Sequence, residues 1–130
     1  MKKNTAVAVG GAIGSVVRYL IQMIPVSSGS SQRPLLTMLI NITGSFILGF
    51  LIILFVKRLP VKAEVRLFFT TGFLGGYTTF STLCKDTVSL LYSGQILLAA
   101  AYLAASLLFG LAAAWLGILA AKKLERRRAA

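Results

Sequence analysis

The residues with the most chemical potential lie together near the middle of the chain: Gly72, Phe73, Leu74, Gly75, Gly76, Tyr77, Thr78, Thr79, Phe80, Ser81 and Thr82. Paired glycine followed by β-branched threonine makes a poor helix interior. If the backbone leaves helical geometry at Gly75, Gly76 and Tyr77, its freed N–H and C=O groups must be satisfied. At membrane depth that is tolerated only inside protein or along an aqueous cavity, and broken helices of this kind often mark ion sites. Carbonyls turned inward suit a hard cation such as Na⁺, whereas the hydroxyls of Thr78, Thr79, Ser81 and Thr82 can donate to an anion. The edge of the Phe80 ring carries positive quadrupole charge and offers an anion a further contact. A plain glycine kink, with its hydroxyls bonded back to the helix, accounts for the same residues.

Two other polar features accompany this segment. Thr37, Asn41 and Ser45 recur at i+4 and form one polar stripe on an otherwise apolar helix. Asn41 either hydrogen-bonds a neighbouring helix or donates its NH₂ to an anion in a water-filled track. Arg18 continues the face of Gly10 and Gly14 at the next i+4 step, and serves either as a vestibule charge that attracts anions or as a snorkelling interfacial anchor. Gly10 and Gly14 form a GxxxG, and Ser106, Gly110, Ala114 and Gly117 form a similar small-residue stripe, both suited to close helix packing. Conventional enzyme chemistry has little to work with. There is no histidine and one cysteine, Cys84; the three acids, Glu64, Asp86 and Glu125, fall at the ends of apolar runs or outside them. No GxxxxGK[ST] phosphate loop occurs.

The elements that must position these groups are membrane spans. The chain has 130 residues, 57% hydrophobic and 13% charged, with a mean hydropathy of +0.84. Residues 34–56, 67–84 and 87–121 carry no formal charge, and residues 4–32 carry only Arg18. Runs of this length cross about 30 Å of hydrocarbon as helices, so the expected fold is an all-α integral membrane protein. A single four-span domain fills residues 1–130, with spans at about 5–24, 35–56, 67–92 and 96–121 and the third broken mid-membrane. The segment after Met1, Lys2 and Lys3 lacks a small-x-small cleavage pattern and contains Arg18, so it reads as a retained first span rather than a signal peptide.

A net charge of +11 in a soluble protein would suggest nucleic acid. Here the basic residues flank hydrophobic runs, as the positive-inside rule requires, and no nucleic-acid partner is expected. Four spans put both termini on one side. That side collects eleven of the 14 basic residues: Lys2, Lys3, Lys57, Arg58, Lys62, Arg66, Lys122, Lys123, Arg126, Arg127 and Arg128. Arg33 and Lys85 fall on the other side, which predicts a cell-membrane protein with both termini cytoplasmic.

The string Gly75, Gly76, Tyr77, Thr78, Thr79, Phe80, Ser81, Thr82 resembles the GGxTTFST signature of the small fluoride channels called Fluc or CrcB, and it sits in the third of four spans. Gly10, Gly11, Gly14, Arg18 and Tyr19 in the first span, and Asn41, Gly44, Ser45 and Phe46 in the second, agree with that family along nearly the whole chain. The resemblance implies an antiparallel, dual-topology dimer that passes fluoride passively out of the cytoplasm, reducing its toxicity, through paths at the subunit interface. It also implies a structural, untransported Na⁺ held by the backbone carbonyls of Gly75 and Thr78. Pathway residues carried over by position are Asn41, Phe80, Ser81, Thr82 and Ser106, with Arg18 near a vestibule. Fluoride holds water tightly, so such a path must offer hydrogen-bond donors and positive ring edges and avoid carboxylates.

This chain departs from the family pattern at Leu83, where a second phenylalanine is usual. Leucine fills the volume without a ring quadrupole. The resemblance gives each path one phenylalanine from each chain, so a partner with both would leave one mixed path. The charge bias points the same way, because a chain inserting equally in both directions has little bias. The expected partner is therefore a related subunit of opposite orientation, with self-pairing as the alternative. Two rivals remain. A non-conducting membrane partner subunit would bind through its glycine stripes, and a small multidrug exporter would need an intramembrane carboxylate where this chain offers Arg18.

Overall fold

The computed structural model describes residues 2–24, 33–57 and 61–129. The serine-rich loop after Pro25 and the stretch 58–60 of the basic connector lie outside the described residues. Every regular element among the described residues is helical: α1 (Lys2–Gln22), α2 (Arg33–Lys57), α3, α4 (Phe80–Tyr92) and α5 (Ile96–Ala129). Helix α3 is built from Ala63–Leu67, a π-helical stretch Phe68–Phe73 and a last turn Leu74–Tyr77.

Three of these, at Lys2–Gln22, Pro34–Phe55 and Ile96–Glu125, are long and apolar enough to cross a membrane. The third of the four transverse helices is divided into α3 and α4, with Thr78 and Thr79 extended between them. It starts at Ala63, four residues before the sequence pattern suggests, and contains a π-helical stretch that the pattern did not reveal. Helix α5 runs on to Ala129 instead of stopping at Ala121. The basic tail is mostly lysine, arginine and alanine, good helix formers with no glycine or proline to end the helix. At 34 residues α5 measures about 51 Å, well beyond a bilayer core.

Glycine determines how closely these helices approach. A Cβ at Gly10 would strike the Phe68 carbonyl oxygen, and one at Gly14 the Phe73 carbonyl oxygen, so α1 lies backbone to backbone against the π-helical part of α3. On the other flank a Cβ at Gly49 would strike the Ala114 carbonyl oxygen and one at Gly117 the Phe46 carbonyl oxygen, which joins α2 to α5. Both small-residue stripes are thus packing surfaces. The turn from α4 to α5 closes on Gly94 at φ 77°, with Gln95 N–H bonded to the Leu90 carbonyl and Gly94 N–H to that of Leu91, both at 3.0 Å. This is the hydrogen-bond pattern of a Schellman cap, and its left-handed residue favours glycine.

The interior is small. Ile40 and Leu74 are nearly inaccessible, and Leu83, Leu90, Ala99 and Tyr102 cluster between α4 and α5. Large apolar side chains instead cover the outside: Leu97 is 85% exposed, Leu111 71% and Trp115 62%. Such a surface is matched to lipid, where close packing and polar contacts rather than burial hold helices together.

Substituting Gly14 or Gly117 with leucine is expected to destabilise the fold by at least about 1–3 kcal/mol, because backbone must move to admit the side chain. Gly110→Ala is expected to be neutral, as its new methyl meets only Ser45 Oγ at 3.8 Å. Midpoints of detergent-induced unfolding compare the three, and equal midpoints would contradict this packing.

Candidate functional site

The break between α3 and α4 follows from local chemistry. Thr78 N–H and Thr78 Oγ1 both donate to the Leu74 carbonyl at 2.9 Å, closing the last turn of α3. Thr79, at φ −151° and ψ 118°, is the N-cap of α4, and its Oγ1 accepts from Thr82 N–H at 3.1 Å. Threonine is favoured at N-caps because its hydroxyl satisfies an amide that has no intrahelical partner.

Neighbouring helices hold the break from two sides. Asn41 on α2 makes a two-point contact with Thr79: its Nδ2 donates to the Thr79 carbonyl at 3.0 Å, and Thr79 N–H donates to Asn41 Oδ1 at 2.8 Å. Arg18 on α1 donates from Nε to the Gly76 carbonyl at 3.0 Å, with Ser15 Oγ a longer donor to the same oxygen at 3.5 Å.

These contacts redirect the backbone. In a continuous helix Thr79 N–H would bond the Gly75 carbonyl and Thr82 N–H would bond that of Thr78. Here Asn41 Oδ1 takes the first amide and Thr79 Oγ1 the second. Gly75 and Thr78 are thereby deprived of their helical donors, and both line one cleft of about 400 Å³.

That cleft also brings together Asn41, Ser45, Phe80 and Ser106 between apolar walls that include Leu107 and Leu111. Phe80 is 71% exposed, so its ring is unencumbered within the chain. Ser106 is 94% buried by contrast, and its Oγ has no hydrogen-bond partner. Buried hydroxyls are normally paired, so this one is a vacant donor in the cleft wall. The α4 helix adds its positive end, since the amides of its first turn lack intrahelical carbonyls.

The chain matches, over residues 5–118, the family described as CrcB-like protein, Camphor Resistance (CrcB). It is 44% identical over 118 residues to a fluoride-specific ion channel FluC of Agrobacterium fabrum, covering 91% of this chain and 94% of the relative. A FluC 2 of Geobacillus kaustophilus is 42% identical over 90% of this chain and 91% of its own, and a FluC of Chlorobaculum tepidum is 43% identical over 94% and 96%. The chain belongs to the CrcB family.

In this CrcB chain, Asn41, Phe80, Ser106, Gly75 and Thr78 share the cleft. Thr82 faces a second cavity of about 270 Å³ with Tyr19, Thr37 and Asp86. Ser81 is exposed and bonded to Thr79 Oγ1 at 3.1 Å. Arg18 lines neither cavity and points at Gly76. Leu83 lies at the cleft edge but is 96% buried, packed with Leu90, Ala99 and Tyr102. The stripe Thr37, Asn41, Ser45 serves three separate ends: Thr37 donates to Asp86 at 2.9 Å, Asn41 clamps Thr79, and Ser45 lines the cleft.

Asp86 is the residue that sequence reasoning undervalued. The sequence places it, with the other two acids, at the ends of apolar runs or outside them, whereas it is 93% buried within α4. Tyr102 adjoins the Thr37–Asp86 pair with a buried hydroxyl that forms no hydrogen bond of good geometry. A signal was present: Asp86 falls within the span expected over residues 67–92, and a carboxylate buried there requires a donor such as the Thr37 hydroxyl.

Asn41→Leu would strand both the Thr79 amide and carbonyl. The expected loss is about 2–6 kcal/mol, since each of the two unsatisfied groups costs about 1–3 kcal/mol. Unfolding midpoints in detergent measure it, and an unchanged midpoint would mean that Asn41 does not hold the break.

Proposed function

We propose that this chain is a fluoride channel subunit of the cell membrane, lowering cytoplasmic fluoride by passive efflux. The observation that carries the reading is the Ser106 hydroxyl, buried without a partner in the wall of a cleft that holds Asn41 and Phe80. The relatives named as fluoride-specific channels support the choice of ion.

The chemistry suits a small, strongly hydrated anion. Asn41 spends one N–H on Thr79 and keeps the other for the cleft. Ser106 supplies an O–H, and Phe80 supplies a positive ring edge on an exposed ring. The single proton of Thr79 Oγ1 goes to Thr82 Oγ1 at 3.0 Å, which leaves Thr82 its own proton for the second cavity. Ser81 gives its proton to Thr79 and supports the cap of α4. The buried carboxylate of Asp86 is absent from the cleft and accepts from Thr37.

The cleft is open along one side of the chain, and Gly75 has nothing within 4 Å of a built Cβ. This face is suited to a second subunit in an antiparallel dimer. The carbonyls of Gly75 and Thr78, freed of their helical donors, are hard oxygen ligands that fit Na⁺. A bound Na⁺ would supply fixed positive charge between the subunits, with these two carbonyls holding it. The eleven-to-two charge bias favours both termini in the cytoplasm and a partner that is a related chain inserted the opposite way. The replacement of a ring by Leu83, which is packed into the subunit core, favours the same pairing.

Fluoride efflux from liposomes, read by a fluoride electrode, tests the function. Expected results are efflux of fluoride without chloride when the chain is reconstituted with an oppositely oriented relative, and little when it is alone. Phe80→Ile and Asn41→Asp are each expected to lower the flux at least about a hundredfold, the latter because a fixed negative charge repels the anion. No fluoride flux in either preparation would overturn the channel reading, and full flux from the chain alone would remove the need for a different partner.

A further inference from the structure

We infer that Arg18 acts as a positioning residue that caps the broken end of α3 through the Gly76 carbonyl, and that its hydrogen bond rather than its charge is what the site requires. The inference rests on the broken-helix pathway proposed above and assigns Arg18 a place outside the path of the ion.

Gly76 sits in the last turn of α3, where carbonyls have lost their intrahelical donors. An unpaired carbonyl at this depth in lipid costs several kcal/mol. Arg18 Nε meets that oxygen at 3.0 Å and supplies the missing donor. The side chain can reach because α1 lies so close: a Cβ on Gly76 would strike the Gly11 carbonyl oxygen, and Gly10, Gly14 and Gly72 let the two backbones touch. Arg18 lines neither the cleft of Phe80 and Ser106 nor the cavity beside Asp86. Gly76 is also three residues from Thr79, which Asn41 holds from the opposite helix. The extended residues Thr78 and Thr79 therefore hang from two anchors, Gly76 held by α1 and Thr79 held by α2, and the released Thr78 carbonyl lies between them. Losing the α1 anchor frees one end of that segment.

Three substitutions separate hydrogen bonding from charge. In Arg18→Gln the Nε2 donor stands as many bonds from Cα as arginine Nε, without the charge. Arg18→Lys keeps the charge with its donor one bond further out, and Arg18→Met keeps the length with neither. Amide hydrogen exchange is measured over residues 74–83 in the full chain in lipid nanodiscs, with residues 100–118 of α5 as the internal reference. Arg18→Gln is expected to exchange within about threefold of the unsubstituted chain and Arg18→Lys no more slowly than Arg18→Gln, while Arg18→Met exchanges at least about tenfold faster, as leaving the Gly76 carbonyl without a donor predicts. The inference fails if Arg18→Lys protects the segment while Arg18→Gln releases it, or if Arg18→Met exchanges as slowly as the unsubstituted chain. Should Arg18→Met not fold, the Gln and Lys pair still decides. Fluoride efflux from the same samples keeps the two readings apart: the expected exchange pattern with no efflux anywhere removes the channel and leaves the cap.

Discussion

Backbone polar groups cannot remain unpaired in lipid, and the third helix of this chain leaves several of them unpaired. The structure depends on how they are satisfied. Asn41 takes the amide and carbonyl of Thr79, Arg18 takes the carbonyl of Gly76, and Thr79 Oγ1 takes the amide of Thr82. Glycine costs a helix about 1 kcal/mol relative to alanine, less than the several kcal/mol of one orphaned group in hydrocarbon. Weak propensity permits the break, and the partners on α1 and α2 maintain it. The glycine contacts of α1 follow from this constraint, because Arg18 reaches Gly76 only where the backbones touch.

The same contacts separate donors from acceptors in space. Taking two amides away from Gly75 and Thr78 leaves their carbonyls without helical donors at residues that line the cleft, which they share with Asn41, Phe80 and Ser106. Among the described residues the buried carboxylate is Asp86, outside the cleft lining and with Thr37 as its donor. Leucine at position 83 joins the Leu90, Ala99 and Tyr102 cluster, so Phe80 is the ring that the described residues offer to the cleft.

Much of this was legible in the residues. Long charge-free runs implied transverse helices, Gly75 and Gly76 before Thr78 and Thr79 implied a break, and GxxxG spacing implied close packing. The destinations of the polar side chains were not legible. An i+4 spacing places Thr37, Asn41 and Ser45 on one face of α2, yet Thr37 meets Asp86 on α4, Asn41 meets Thr79 at the break, and Ser45 lines the cleft, because the helix they face is broken there. Arg18 was ambiguous for a related reason: sequence fixes its face, while its partner is a backbone carbonyl that carries no side-chain signature. The π-helical stretch Phe68–Phe73 has no marker in the sequence. Asp86 was misjudged since a position near the end of a charge-free run is not the same as a position near water once the helix has been broken and shifted.

The most direct test of the account is the backbone conformation of Thr78 and Thr79 in a lipid bilayer, read from their Cα and Cβ chemical shifts by solid-state nuclear magnetic resonance. Extended-type shifts at both threonines, flanked by helical shifts at Leu74 and Leu83, are the predicted result. Helical shifts running unbroken from Leu74 through Leu83 would contradict it, for then no carbonyl is released and no amide is left for Asn41 to hold.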